Sequence, residues 1–163
     1  MLFRKNRKSP ESMSLELRER ALTASPGELG LAADCDTSGA WLAAMETGHV
    51  GAAATLVCVI DGTTSVYMSN GGGMIGAGEH DSVRAATARF LSVAAHYAPR
   101  MRQVTEHPLP EFNEVRFFVR AGDRLLAASN TMDTLSTGKH PLSAFFLAGQ
   151  LVITAIRETG VFT

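Results

Sequence analysis

The residue pattern best suited to chemistry in this chain is a run of glycines. Gly71, Gly73 and Gly76 match G-x-G-x-x-G, with Gly72 and Gly78 beside them and His80 just beyond. The run separates a β-rich segment from a helical one starting near Asp81. In that setting, glycines let backbone N–H groups converge on a phosphate or another anion at a helix N-terminus. They serve equally well to turn a chain sharply from strand to helix. On sequence alone both readings stand, with Gly71, Gly72, Gly73, Gly76, Gly78 and His80 as ligand-binding candidates. A dinucleotide fold fits poorly. The preceding strand belongs to a hairpin, Glu79 and Asp81 bring negative charge to the helix start, and no acid stands about 20 residues onward, where His96 and Tyr97 are found.

Other reactive types are scattered. Thr137-Gly138-Lys139-His140 is similar to the end of a phosphate loop, but Asp133 stands where that loop requires glycine. The histidines (His49, His80, His96, His107, His140) show no HExxH or other paired metal spacing. Cys58 lies mid-strand in an apolar run, without the basic, exposed surroundings of a reactive thiol. Arg116 and Arg120 share a strand face and read as a small solvent-exposed basic patch. With no nucleophile–base pair and no metal set, no catalytic residue, cofactor or metal is assigned, and an enzyme is the least favoured class.

The elements that must position these residues begin with Ala54 to Asn70. Here Asp61-Gly62 joins two β-rich runs, Thr55 to Ile60 and Thr63 to Ser69, which predicts a hairpin with a type I′ turn. Leu56, Cys58 and Ile60 share one face of the first run, and Val57 and Val59 the other, so that strand should be covered on both sides. The second run alternates more weakly and should lie nearer an edge. Before the hairpin, Gly39 to Thr47 reads as a helix capped by Ser38 and stopped by Gly48, with Trp41, Leu42 and Met45 on one side. Farther upstream, Ser12 to Leu22 reads as a short helix with a thin apolar stripe, capped by Ser12 or Ser14, and Ala24 to Ser38 as a linker or covering loop.

Downstream, Val83, Ala86, Phe90, Val93, Ala94 and Tyr97 mark a helix from about Asp81 to Ala98, which Pro99 ends. A short edge strand is expected near Gln103 to His107. A second hairpin is expected from Val115 to Ser129, turning at Ala121-Gly122-Asp123, and then a polar loop from Asn130 to Lys139. The last helix starts at His140-Pro141. Its apolar face carries Leu142, Phe145, Phe146, Gly149, Val152, Ile153 and Ile156. Its other face, Ser143, Leu147, Gln150, Leu151 and Thr154, has no charge before Arg157, so it should be covered by another segment or by a second copy of the chain.

The whole-chain numbers agree with one domain. The chain has 163 residues, 45% hydrophobic and 19% charged, enough for a real core. A net charge of −1 gives no reason to expect nucleic acid. Residues 1–11 read as a basic disordered tail, 12–37 as helix and linker, and 38–163 as the folded domain. No apolar run approaches a membrane span, the N-terminus lacks the apolar segment of a secretory signal, and two cysteines make no disulfide framework. A cytoplasmic protein with no membrane partner is expected.

Together these elements predict an α+β fold, an antiparallel sheet of four or five strands with helices on both faces. The order of helix, hairpin, long helix, further strands and C-terminal helix over Ser38 to Thr159 resembles the roadblock/LC7 and profilin-like folds. That resemblance implies a homodimer that acts by binding other proteins, commonly small GTPases or their regulators, and carries over no catalytic residue. The string DGTTSVYMSNGGGMIGAGEH is also similar to segments of small bacterial proteins with no activity attached. The leading expectation is a non-enzymatic homodimeric interaction module whose interface includes Leu147, Gln150, Leu151 and Thr154. The alternative is a protein that binds a small ligand or anion, phosphate or nucleotide, through residues 71–78.

Overall fold

A computed structural model describes residues 7–160, those at 74 and 75 by backbone alone. The expectation for residues 1–6 lies outside the described residues. Helix α1 (Pro10–Thr23) is followed by strands β1 (Ala40–His49), β2 (Ala52–Val59), β3 (Thr64–Met68) and β4 (Gly73–Ile75). Then come α2 (Asp81–Tyr97), β5 (Arg102–Gln103), β6 (Glu114–Ala121), β7 (Arg124–Thr131), the one-turn α3 (Met132–Ser136) and α4 (Ser143–Glu158). The fold is α+β. Among the described residues seven strands pair antiparallel in one sheet, ordered β4-β3-β2-β1-β6-β7-β5. This is more than the four or five expected, because β1 and the short β4 were not foreseen as strands.

The largest correction is β1. Its alanines, leucine, methionine and glutamate are good helix formers, and local preference points to a helix over 39–47. In the fold, Trp41 to Gly48 are all buried. A central strand covered on both faces hides all eight, whereas a helix with one face to solvent would expose part of each turn, so tertiary packing overrides propensity. A register shift between Ala40 and Leu42 places Trp41 beside Leu42 and Ala44 in one apolar cluster, while Ala43 and Met45 enter the other. Gly48 stops no helix. A Cβ there would collide with the Glu111 carbonyl oxygen, so glycine is required where the 104–113 loop crosses β1.

The β2–β3 hairpin forms as expected, with Leu56 and Cys58 facing one core and Val57 and Val59 the other. Its turn differs. Gly62 N–H donates to the Val59 carbonyl at 2.9 Å, and Gly62 has φ 94°. Asp61 keeps a negative φ, since Asn113 is the only non-glycine with a positive one among the described residues. The turn is therefore type I followed by a left-handed glycine bulge, and the Asp61 carboxylate accepts from Thr63 N–H at 2.9 Å.

Each face of the sheet carries its own core. On one, α2 and α4 pack over Met45, Leu56, Phe117 and Val119. Phe145 stacks on Phe117 (centroids 4.2 Å apart) and on Tyr97 (5.4 Å). Gly149 admits the Met45 sulfur and the Phe90 ring, so α4 lies close to the sheet. On the other face, α1 packs Ala21 and Leu22 against Trp41, Leu42, Val57 and Phe118. α1 begins two residues earlier than expected and is capped by Ser9, whose Oγ accepts from Ser12 N–H, rather than by Ser12 or Ser14. α4 begins at Ser143, two residues after Pro141, because His140 holds the preceding turn through Leu142 N–H to Nδ1 at 3.1 Å.

Candidate functional site

The glycine segment is built for turning and close approach. Gly71 and Gly72 make the tight β3–β4 turn, with Gly71 N–H donating to the Met68 carbonyl at 2.9 Å and Met68 N–H to Gly72 at 3.1 Å. Both have φ near 90–100° (101° and 91°), a region that favours glycine. Gly73 starts β4 and passes so near the Val66 carbonyl that no side chain fits. Gly76 and Gly78 belong to the next turn, where a Cβ on Gly78 would meet the Gly62 carbonyl. The two groups line different hollows: Gly72 and Gly73 face Met13 and Leu17 of α1, while Gly76 and Gly78 face Asp61, Glu79 and Arg84. The Arg84 Nε donates to the Gly78 carbonyl at 3.0 Å. His80 is exposed and precedes α2 without a side-chain cap bond. The six candidates therefore form no single cradle, and two acids sit beside the second group.

The outer face of α4 is different. Leu147 is 59% and Leu151 42% exposed, Thr154 is exposed and Gln150 half-buried. No segment among the described residues covers them: α1 and Trp41, the candidate covers, lie on the opposite side of the sheet. Beside this face runs an open groove of about 490 Å³, lined by Leu135, Gly138, Ala144, Phe146, Leu147 and Gln150. Ser143, read from sequence as part of the outer face, points inward and donates to the Leu135 carbonyl at 2.9 Å.

A buried polar network lies under α1, and sequence reasoning missed it. Glu46, 0% exposed at the middle of β1, accepts Arg18 Nε (2.5 Å) and Nη2 (2.8 Å) in a two-pronged pair. Thr55 Oγ1 donates to the same carboxylate at 2.5 Å, and Arg18 Nη2 also donates to the His107 carbonyl at 2.6 Å. His107 Nε2 lies 2.6 Å from the exposed Glu19, while its Nδ1 is buried without a partner among the described residues. Arg120, expected at the surface with Arg116, is instead buried. It stacks over Trp41 at 4.4 Å and caps the end of α1 by donating to the Ala21 and Ala24 carbonyls. Burial pulls its guanidinium below the ordinary value. Arg116 is tied down too, donating to the Pro108 carbonyl and to Glu114. Glu46 was legible as the one acid inside an otherwise apolar run. A carboxylate saturated by a buried arginine and sealed from solvent anchors a helix; it is not placed to move protons.

Burial pushes the Cys58 thiol up to about 12, with Thr87 Oγ1 3.7 Å away, so it stays protonated and inert. Among the described residues no group of three His, Cys, Asp or Glu could hold a metal ion, and no helix is long and apolar enough to cross a membrane. Compared with known proteins, the chain matches no family model, no curated protein and no solved structure.

Proposed function

We propose that the chain is a non-enzymatic, homodimeric protein-interaction module that works in the cytoplasm. The observation that carries this is the outer face of α4, which holds no charged side chain from Ser143 to Ile156 and leaves Leu147 and Leu151 in solvent. Contiguous apolar surface of this kind marks interaction sites. Burying each leucine would contribute about 1.5–3 kcal/mol, so a few per protomer support association after its entropic costs. Pairing through sheet edges is less favourable, because the edge strands β4 and β5 have three and two residues.

The roadblock/LC7 or profilin-like likeness belongs to the same proposal. The antiparallel sheet with helices on both faces, a long helix between strands and a C-terminal helix support it, with α1 rather than residues 39–47 as the helix before the hairpin. Two free cysteines, one of them buried, suit a reducing compartment. Light scattering at tens of micromolar protein is expected to give twice the chain mass. Leu147→Glu with Leu151→Glu should give a folded monomer. A wild-type monomer would refute self-association, and a dimer that survives both changes would move the interface off α4.

A further inference from the structure

The helical layer stops one row short on the sheet. Across β1, β2 and β3 the row Met45–Leu56–Val66 is buried beneath helices. The next row, Thr47–Ala54–Met68, floors an open cleft of about 480 Å³. Gln150, Ile153 and Arg157 form one wall, because steps of three and four residues stack them on one side of α4. Met132, at the start of α3, and His49, at the end of β1, close the rim.

Its chemistry is asymmetric. Ala54, Val66, Met68, Met132 and Ile153 supply an apolar interior, and no acid lines it. The polar groups are the Gln150 amide, the Arg157 guanidinium and a Thr47 Oγ1–His49 Nε2 hydrogen bond of 2.9 Å. Among the described residues neither Arg157 nor Gln150 has a side-chain ion pair or hydrogen bond; Arg89, Arg100, Arg102 and Arg124 also lack one, but Arg157 is the arginine that lines this cleft. A cation in the last turn also suits the helix dipole. Here, however, that cation stands uncommitted at the mouth of an apolar cleft of ligand-binding size.

We propose that this cleft binds a small monocarboxylate with an apolar tail. The carboxylate would accept from Arg157 and Gln150, and the tail would lie on Met68, Met132 and Ile153. The charge sets the anionic head, the lining sets the apolar body, and the soft methionines adapt to its shape.

Titration of methionine-methyl-labelled protein with decanoate, below its micelle threshold, tests this by NMR. Saturable shifts are expected at Met68 and Met132, and none at Met13 or Met101, which lie outside the cleft. Decanol, the uncharged counterpart, should bind roughly tenfold more weakly or worse, and Arg157→Met should weaken decanoate to a similar degree. Ala54→Phe, which fills the floor, should abolish the shifts. If that variant does not fold, Arg157→Met alone decides, since its side chain is exposed. Absence of saturable shifts at Met68 and Met132, equal binding of decanol, or undiminished binding in Arg157→Met would each overturn the proposal.

Discussion

Beneath α1 the sheet presents Glu46, Thr55 and Arg120 among its apolar side chains; beneath α2 and α4 it presents Met45, Leu56, Phe117 and Val119. The two helical layers are accordingly attached in different ways. α4 buries Phe145, Val152 and Ile156 and lies close enough to require glycine at 149. α1 buries Ala21 and Leu22 but also Ser14 and Arg18, and its position is set by two arginines, one reaching down to Glu46 and one reaching up from β6. Apolar burial supplies stability in proportion to area and is tolerant of direction. A two-pronged buried ion pair contributes little net stability, since desolvation offsets its attraction, but it punishes the loss of either partner. The apolar layer holds the fold, and the ionic layer fixes where α1 sits.

Breaking each layer at its centre gives the largest effects. Phe145→Ala should cost about 3–5 kcal/mol in urea unfolding, through lost burial and the cavity left behind. Glu46→Ala should cost about as much, because it strands Arg18 in the interior. The double change Arg18→Met with Glu46→Leu separates the two mechanisms. It should recover most of that loss, whereas nothing comparable rescues Phe145→Ala. A cost below about 1 kcal/mol for Glu46→Ala would mean that water reaches the pair, and the contrast between the layers would fail.

An effect of middle size sharpens the same contrast through pH. Cys58 lies in the apolar layer, and burial raises its thiol from the ordinary 9.0 to about 12. The folded state therefore holds the proton more tightly than the unfolded chain. The associated stability is complete below about pH 9 and is lost as pH climbs toward 12. Other groups titrate in that window, so the test compares slopes: stability should fall less steeply with pH in Cys58→Ala than in the wild type. Equal slopes would mean that the thiolate is accommodated in the folded state. The smallest effect concerns the entry to α1. Ser9→Ala removes its cap and should cost about 0.5–2 kcal/mol by thermal unfolding, with α2 and α4 unaffected in hydrogen exchange.

The parts of the fold legible in the sequence were those with local signals. The β2–β3 hairpin, α2, the β6–β7 hairpin and the apolar stripe of α4 each show a period and a boundary residue. The uncharged outer face of α4 was legible for the same reason. β1 was misread because its residues favour a helix and only burial on both sides makes them a strand. The glycine segment was legible as special but not as to purpose, since tight turning and anion binding ask for the same residue. The cleft bounded by Thr47, His49, Gln150 and Arg157 has no signature at all, because its walls come from β1 and α4, about a hundred residues apart in a chain whose local patterns cannot pair them.

By itself the sequence determined the alternation that gives most strands their two faces, the helical stripes, and the chemistry available on each surface. Those follow from residue type at fixed spacing, which acts over a few neighbours. Tertiary structure alone decided that 40–49 would be a central strand, that Arg18 would meet Glu46, and that Arg157 would face an apolar cleft. These outcomes depend on which distant surfaces exclude water together, and that free energy belongs to the assembled chain rather than to any stretch of it.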